Sequence, residues 1–79
     1  MFRTCTMWDM SNNTEWTVTS YPQSNGTFKI IAISPDRKRA IHLEKQSAEQ
    51  VANFNPVLAW GGPVPAKRVD VMADIQAAL

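Results

Sequence analysis

The sequence predicts an α+β domain: an antiparallel meander of three or four strands packed by one or two short helices. Three observations carry this. Two β-branched and aromatic runs, 15–21 and 27–34, flank an Asn25-Gly26 pair. Asn-Gly is the dipeptide best suited to a two-residue hairpin turn, because both residues tolerate positive φ. A serine-headed capping sequence, Ser47-Ala48-Glu49-Gln50, then switches the chain from strand to helix. With 79 residues, 44% hydrophobic and 19% charged, the chain reads as one domain over 1–79, close to the smallest size that sustains its own core.

The elements follow in order. Residues 2–8 hold Phe2, Cys5, Met7 and Trp8. They read either as an edge strand paired with 15–21 across the polar stretch 9–14 or, over 1–9, as a loosely held leader. The run Glu15-Trp-Thr-Val-Thr-Ser-Tyr21 is strand-like, and Pro22 suits its end because proline cannot donate to a ladder. Thr27-Phe-Lys-Ile-Ile-Ala-Ile-Ser34 is the second hairpin arm. With a two-residue turn, Val18 faces Ile33 and Tyr21 faces Ile30. One side then carries Trp16, Val18, Ile31 and Ile33, and the other Tyr21, Phe28 and Ile30. A one-residue slip would exchange these sides. After Pro35-Asp36, residues 39–45 alternate Ile41 and Leu43 with Ala40, His42 and Glu44, a third core strand.

A helix is expected from Ala48 to about Asn55, ending or kinking before Pro56. Gly61-Gly62-Pro63-Val64-Pro65 reads as a surface loop. From Arg68 to Leu79, either Val69, Met72, Ile75 and Leu79 share one helical face, or 69–72 is a short strand.

Composition excludes several functions. A net charge of +1 provides neither the acidity of a DNA mimic nor the basic excess of bulk phosphate binding. Cys5 is the single cysteine and His42 the single histidine. No internal disulfide can form, and no zinc ligand set exists. Neither residue has a visible partner for nucleophilic or base catalysis, so no enzyme, metal or cofactor is expected. The start of the chain lacks the long apolar core of a signal peptide, and no run spans a membrane; a reducing, cytoplasmic setting follows as an expectation.

What remains is surface chemistry. Apolar residues on both sides of a small sheet imply either that the C-terminal segment and the N-terminal strand cover the second side or that it is a partner surface. Tyr21, Phe28 and Ile30 are the face candidates, and Trp60 beside Gly61-Gly62 is an anchor candidate. Arg37-Lys38-Arg39 forms a basic tip that Lys67-Arg68 could extend. The hairpin about Asn25-Gly26 followed by the Ser47-capped helix resembles, in architecture, the small phage and mobile-element inhibitors of bacterial defence, the anti-CRISPR proteins. The resemblance covers the plan of the whole chain. It implies a non-enzymatic inhibitor that blocks a larger bacterial complex, a CRISPR-Cas effector, by surface binding. A homodimer through a sheet edge or face fits the same reading. The alternative is a small nucleic-acid-binding module that uses the basic turn.

Overall fold

The computed structural model describes residues 1–61 and 72–79. Four strands, β1 (Arg3–Asp9), β2 (Thr14–Pro22), β3 (Phe28–Ile33) and β4 (Ala40–Gln46), form one antiparallel sheet in the order β1-β2-β3-β4. Among the described residues three short helices follow: α1 (Ala48–Phe54), α2 (Pro56–Trp60) and α3 (Met72–Gln76). The architecture is the expected α+β meander, and residues 3–9 are its edge strand. None of the helices among the described residues is long and apolar enough to cross a membrane.

The hairpin between β2 and β3 differs from the expected one by a single residue, with large consequences. Its loop has three residues, Ser24, Asn25 and Gly26. Gly26 N–H donates to Gln23 O at 3.2 Å, and Gln23 N–H donates to Thr27 O at 2.8 Å. Gly26 takes the left-handed conformation, φ 83°. This is a turn closed by a glycine bulge, the usual form of a three-residue hairpin. Asn25 contributes its side chain instead of a left-handed backbone: its Oδ1 accepts from both Thr27 N–H and Thr27 Oγ1. The register therefore runs Val18↔Ala32 and Ser20↔Ile30. Every side chain of residues 28–33 sits on the face opposite to the expected one.

Alternation then separates the two faces. Met7, Trp16, Val18, Ile30, Ala32 and Leu43 point to one side, where Val51, Phe54, Leu58, Ala59, Met72 and Ile75 meet them in a single core. Ile41 packs at its margin. At roughly 1.5–3 kcal/mol per large buried side chain, this one cluster dominates the stability of so short a chain. Ile31 and Ile33 lie on the other side with Tyr21, and Phe28 and Ile30 face the core.

Local chemistry fixes the helices. Ser47 Oγ accepts from Gln50 N–H at 3.1 Å and Gln50 Oε1 accepts from Ser47 N–H at 2.7 Å, the reciprocal capping expected. Helix α1 stops at Asn55, but the chain does not enter a loop. Asn55 is extended, φ −161°, and its side chain accepts from Val57 N–H, so it caps a new helix with Pro56 in the first turn. Proline is well suited to that position because its missing N–H would be unbonded anyway. Helix α2 is an addition to the expected elements, because Pro56 read as a terminator alone gives no reason to start another helix. In the last segment Met72 and Ile75 are buried and Leu79 is exposed; Val69 and the strand reading of 69–72 fall largely outside the described residues.

Two bonds seat α2 on the sheet. Ser20 Oγ donates to Leu58 O at 2.6 Å, fully buried. Arg3 Nη1 donates to Ala59 O at 3.0 Å. Replacing Ser20 with alanine strands a buried carbonyl, so S20A should lower unfolding free energy by about 1–3 kcal/mol in urea denaturation. Gly26→Ala meets no atom within 4 Å, so its loss, about 1–2 kcal/mol, comes from left-handed backbone alone. Gly26→Asn, better tolerated in that conformation, should lose less in the same measurement.

Candidate functional site: the uncovered sheet face

All three helices lie on the core side of the sheet. The opposite face carries Thr4, Thr6 and Trp8 from β1, Glu15, Thr17, Thr19 and Tyr21 from β2, Lys29, Ile31 and Ile33 from β3, and His42 from β4. The threonines make a two-by-two array, because Thr4 pairs with Thr19 and Thr6 with Thr17. The Thr4 and Thr19 hydroxyls are 3.3 Å apart. Among the described residues no helix covers this array.

Aromatic groups stand at both ends of the array. Phe2 packs its ring on Tyr21, with centroids 5.9 Å apart and planes tilted by 37°. Phe2 is 63% exposed and Tyr21 37%. Trp8, half-buried, closes the opposite end of β1. Trp60 is 64% exposed. It ends α2, on the core side of the sheet, and the next residue, Gly61, comes close to the Arg3 side chain.

The turn between β3 and β4 is tightly built. Arg37 N–H donates to Ser34 O and Ser34 N–H to Arg39 O. Ser34 Oγ donates to Asp36 Oδ1, which also accepts from Lys38 N–H, and Arg39 N–H donates to Ser34 Oγ. Arg37 is left-handed, φ 62°. The framework projects Arg37 and Lys38 outward. Beside it a cleft of about 290 Å³ opens, lined by Thr17, Ile33, Ser34, Pro35 and Arg37. Arg39 turns back onto the protein instead. Its guanidinium lies 5.0 Å from the centroid of the Trp16 ring, a cation–π contact that caps the core.

The expected site residues therefore separate. Ile30 is fully buried, and Phe28 packs against the core; both belong on the outer face only under the two-residue turn. Tyr21, Arg37, Lys38 and Trp60 are at the surface as expected. Arg39 is exposed but engaged with Trp16. Lys67 and Arg68 lie outside the described residues. Reading the sequence for large apolar anchors misses Phe2, the four threonines, Ile31 and Ile33 as an outer face. The Thr-x-Thr repeats at 4–6 and 17–19 are the available signal, since their period of two separates them from Cys5, Met7 and Val18.

His42 is exposed on this face, and no cluster of His, Cys, Asp or Glu that could hold a metal occurs among the described residues. Two carboxylates titrate abnormally. The Ser11 hydroxyl bond, helped by Ser11 N–H and Arg39, holds Asp9 below its ordinary value against the opposing effect of burial. The Ser34 hydroxyl and Lys38 N–H do the same for Asp36. No family model, curated protein or solved structure matches the chain.

A carboxylate depressed in the folded state stabilises fully above its unfolded pKa and loses that contribution as pH falls through the folded value. Starting from the ordinary value of 3.8 for Asp36, the urea midpoint should drop as pH is lowered below about 4. Asp36→Asn keeps an acceptor for Ser34 and Lys38 but cannot titrate, so its midpoint should fall less over the same range.

Proposed function

We propose that this chain is a non-enzymatic, protein-binding inhibitor that acts in the cytoplasm of a bacterial host. Like the anti-CRISPR proteins whose plan it resembles, it would block a CRISPR-Cas effector complex by occupying its surface. The single observation behind this reading is the one-sided helical layer. Three helices bury one face of the sheet, while Tyr21, Phe2, Trp8, Ile31 and Ile33 stand around a threonine array on the other. A face of this kind carries little charge at its centre and loses little side-chain entropy on docking, because β-branched residues are already restricted. Tyr21 and Trp60 are the aromatic anchor types enriched at binding hot spots. Arg37 and Lys38 border the face and fit acidic groups at the rim of a partner.

The alternative, a nucleic-acid-binding module, draws on the same basic turn. Arg39 is committed to Trp16, which leaves Arg37 and Lys38 as the exposed pair of that turn. Two cations are few for phosphate-driven affinity, which grows with the number of phosphates neutralised.

In a strain with an active CRISPR-Cas system, expression of the chain should restore transformation by a targeted plasmid. Ile31→Glu, half-buried and remote from the core, should abolish the rescue while the purified variant keeps its urea midpoint. Restoration by I31E equal to wild type would refute the face as the docking surface. Absence of rescue across strains carrying different effector types would refute the inhibitor reading. Gel shifts with duplex and single-stranded DNA at low salt should show no binding.

A further inference from the structure

The edge of the sheet carries information independent of the proposed function. β1 is an edge strand, paired along all seven of its residues with β2 in an unbroken register from Arg3↔Ser20 to Asp9↔Thr14. Hydrogen-bonding direction along it follows from the neighbouring hairpin. Gln23 N–H bonds Thr27 O, so in steps of two Tyr21, Thr19 and Thr17 direct their backbone groups to β3. Ser20, Val18 and Trp16 then direct theirs to β1, where Arg3, Cys5 and Met7 meet them. The intervening residues of β1, namely Thr4, Thr6 and Trp8, direct their N–H and C=O groups outward, where no described strand lies.

The two edges of the sheet are built differently. β4 is broken by a register shift opposite Phe28–Ile30, has Lys45 at φ 55°, and carries His42, Glu44 and Lys45 at its exposed positions. Bulges and charge are the devices that deter strand addition. β1 has no bulge, no proline and no lysine.

β1 is also complementary to itself. Pairing two copies antiparallel about Thr6 sets Thr6 against Thr6 and Thr4 against Trp8. Every outward N–H and C=O named above then finds a partner. On the core side the same register sets Arg3 opposite Asp9 and Cys5 opposite Met7, so unlike charges face each other at both ends. Arg3 gives one of its donors to Ala59 O, and Asp9 uses Oδ1 for Ser11; the guanidinium's other donors and the second carboxylate oxygen suit this cross-pair.

We propose that β1 is a homodimerisation edge, joining two copies about a two-fold axis at Thr6 into one continuous eight-stranded sheet. The contact is short, below the roughly 1,200 Å² of a standard interface, which puts the dimer in the weak, reversible class.

Sedimentation equilibrium from about 10 μM to 1 mM should show a monomer of 8.9 kDa passing to twice that mass. Thr6→Lys, at an exposed position, sets two lysines face to face and should keep the chain monomeric at 1 mM with an unchanged urea midpoint. In a Cys5→Ser background, Thr6→Cys should form a disulfide-linked dimer on mild oxidation. Thr4→Cys should not, because the two copies of Thr4 are about 14 Å apart in this register. A single monomer at the highest concentration, association untouched by T6K, or equal cross-linking by T4C would overturn the proposal. The readout is self-association alone, so it leaves the inhibitor reading to its own test.

Discussion

Helix α2 is only five residues long, too short to persist by its own hydrogen bonds, and its last carbonyls have no partners within the helix. Ser20 and Arg3, directly opposite each other on neighbouring strands, take up Leu58 O and Ala59 O. That shared grip orients α2 across β1 and β2 and directs Leu58 into the core. It holds the helical layer on one side of the sheet. A hydroxyl buried on the core face beside Val18 and Ile30 would be a liability in isolation; its bond to Leu58 O turns it into a specific fastening.

Sidedness follows from that fastening together with the strand period. Trp16, Val18, Ile30 and Leu43 are enclosed, and the residues between them are left outside. The outer face is not uniformly polar, as an ordinary solvated face would be. Ile31, Ile33 and Trp8 are only partly buried there, which makes this surface suited to further burial against a partner.

The meander and the start of α1 are legible in the sequence; facing and α2 are not. β-branched and aromatic runs mark β2 and β3, alternation of Ile41 and Leu43 marks β4, residues 1–9 read equally as a strand or a leader, and the Ser47–Gln50 box marks the start of α1 to the residue. The Asn25-Gly26 signal is genuine, but it admits two closures. Two-residue and three-residue loops both use a left-handed glycine, and they differ in whether asparagine acts through its backbone or its side chain. Nothing local decides between them. Burial of Ile30 and Ala32 rather than Ile31 and Ile33 decides it, through packing against helices distant in sequence. Pro56 is ambiguous for a similar reason, since proline ends one helix and opens another by the same restriction. Arg39 looks like part of a basic tip because its cation–π contact with Trp16, a residue on a different strand, leaves no trace in local sequence.

The three tryptophans occupy three environments: Trp16 enclosed beneath a guanidinium, its indole N–H without a partner among the described residues, Trp8 half-covered at the sheet edge, and Trp60 open to solvent. Each is a separate optical reporter. Iodide in the surrounding buffer reaches Trp60 first and Trp16 last. Contact with a partner at Trp60 would dim the reddest component of the emission, while melting of the core would be read from the bluest.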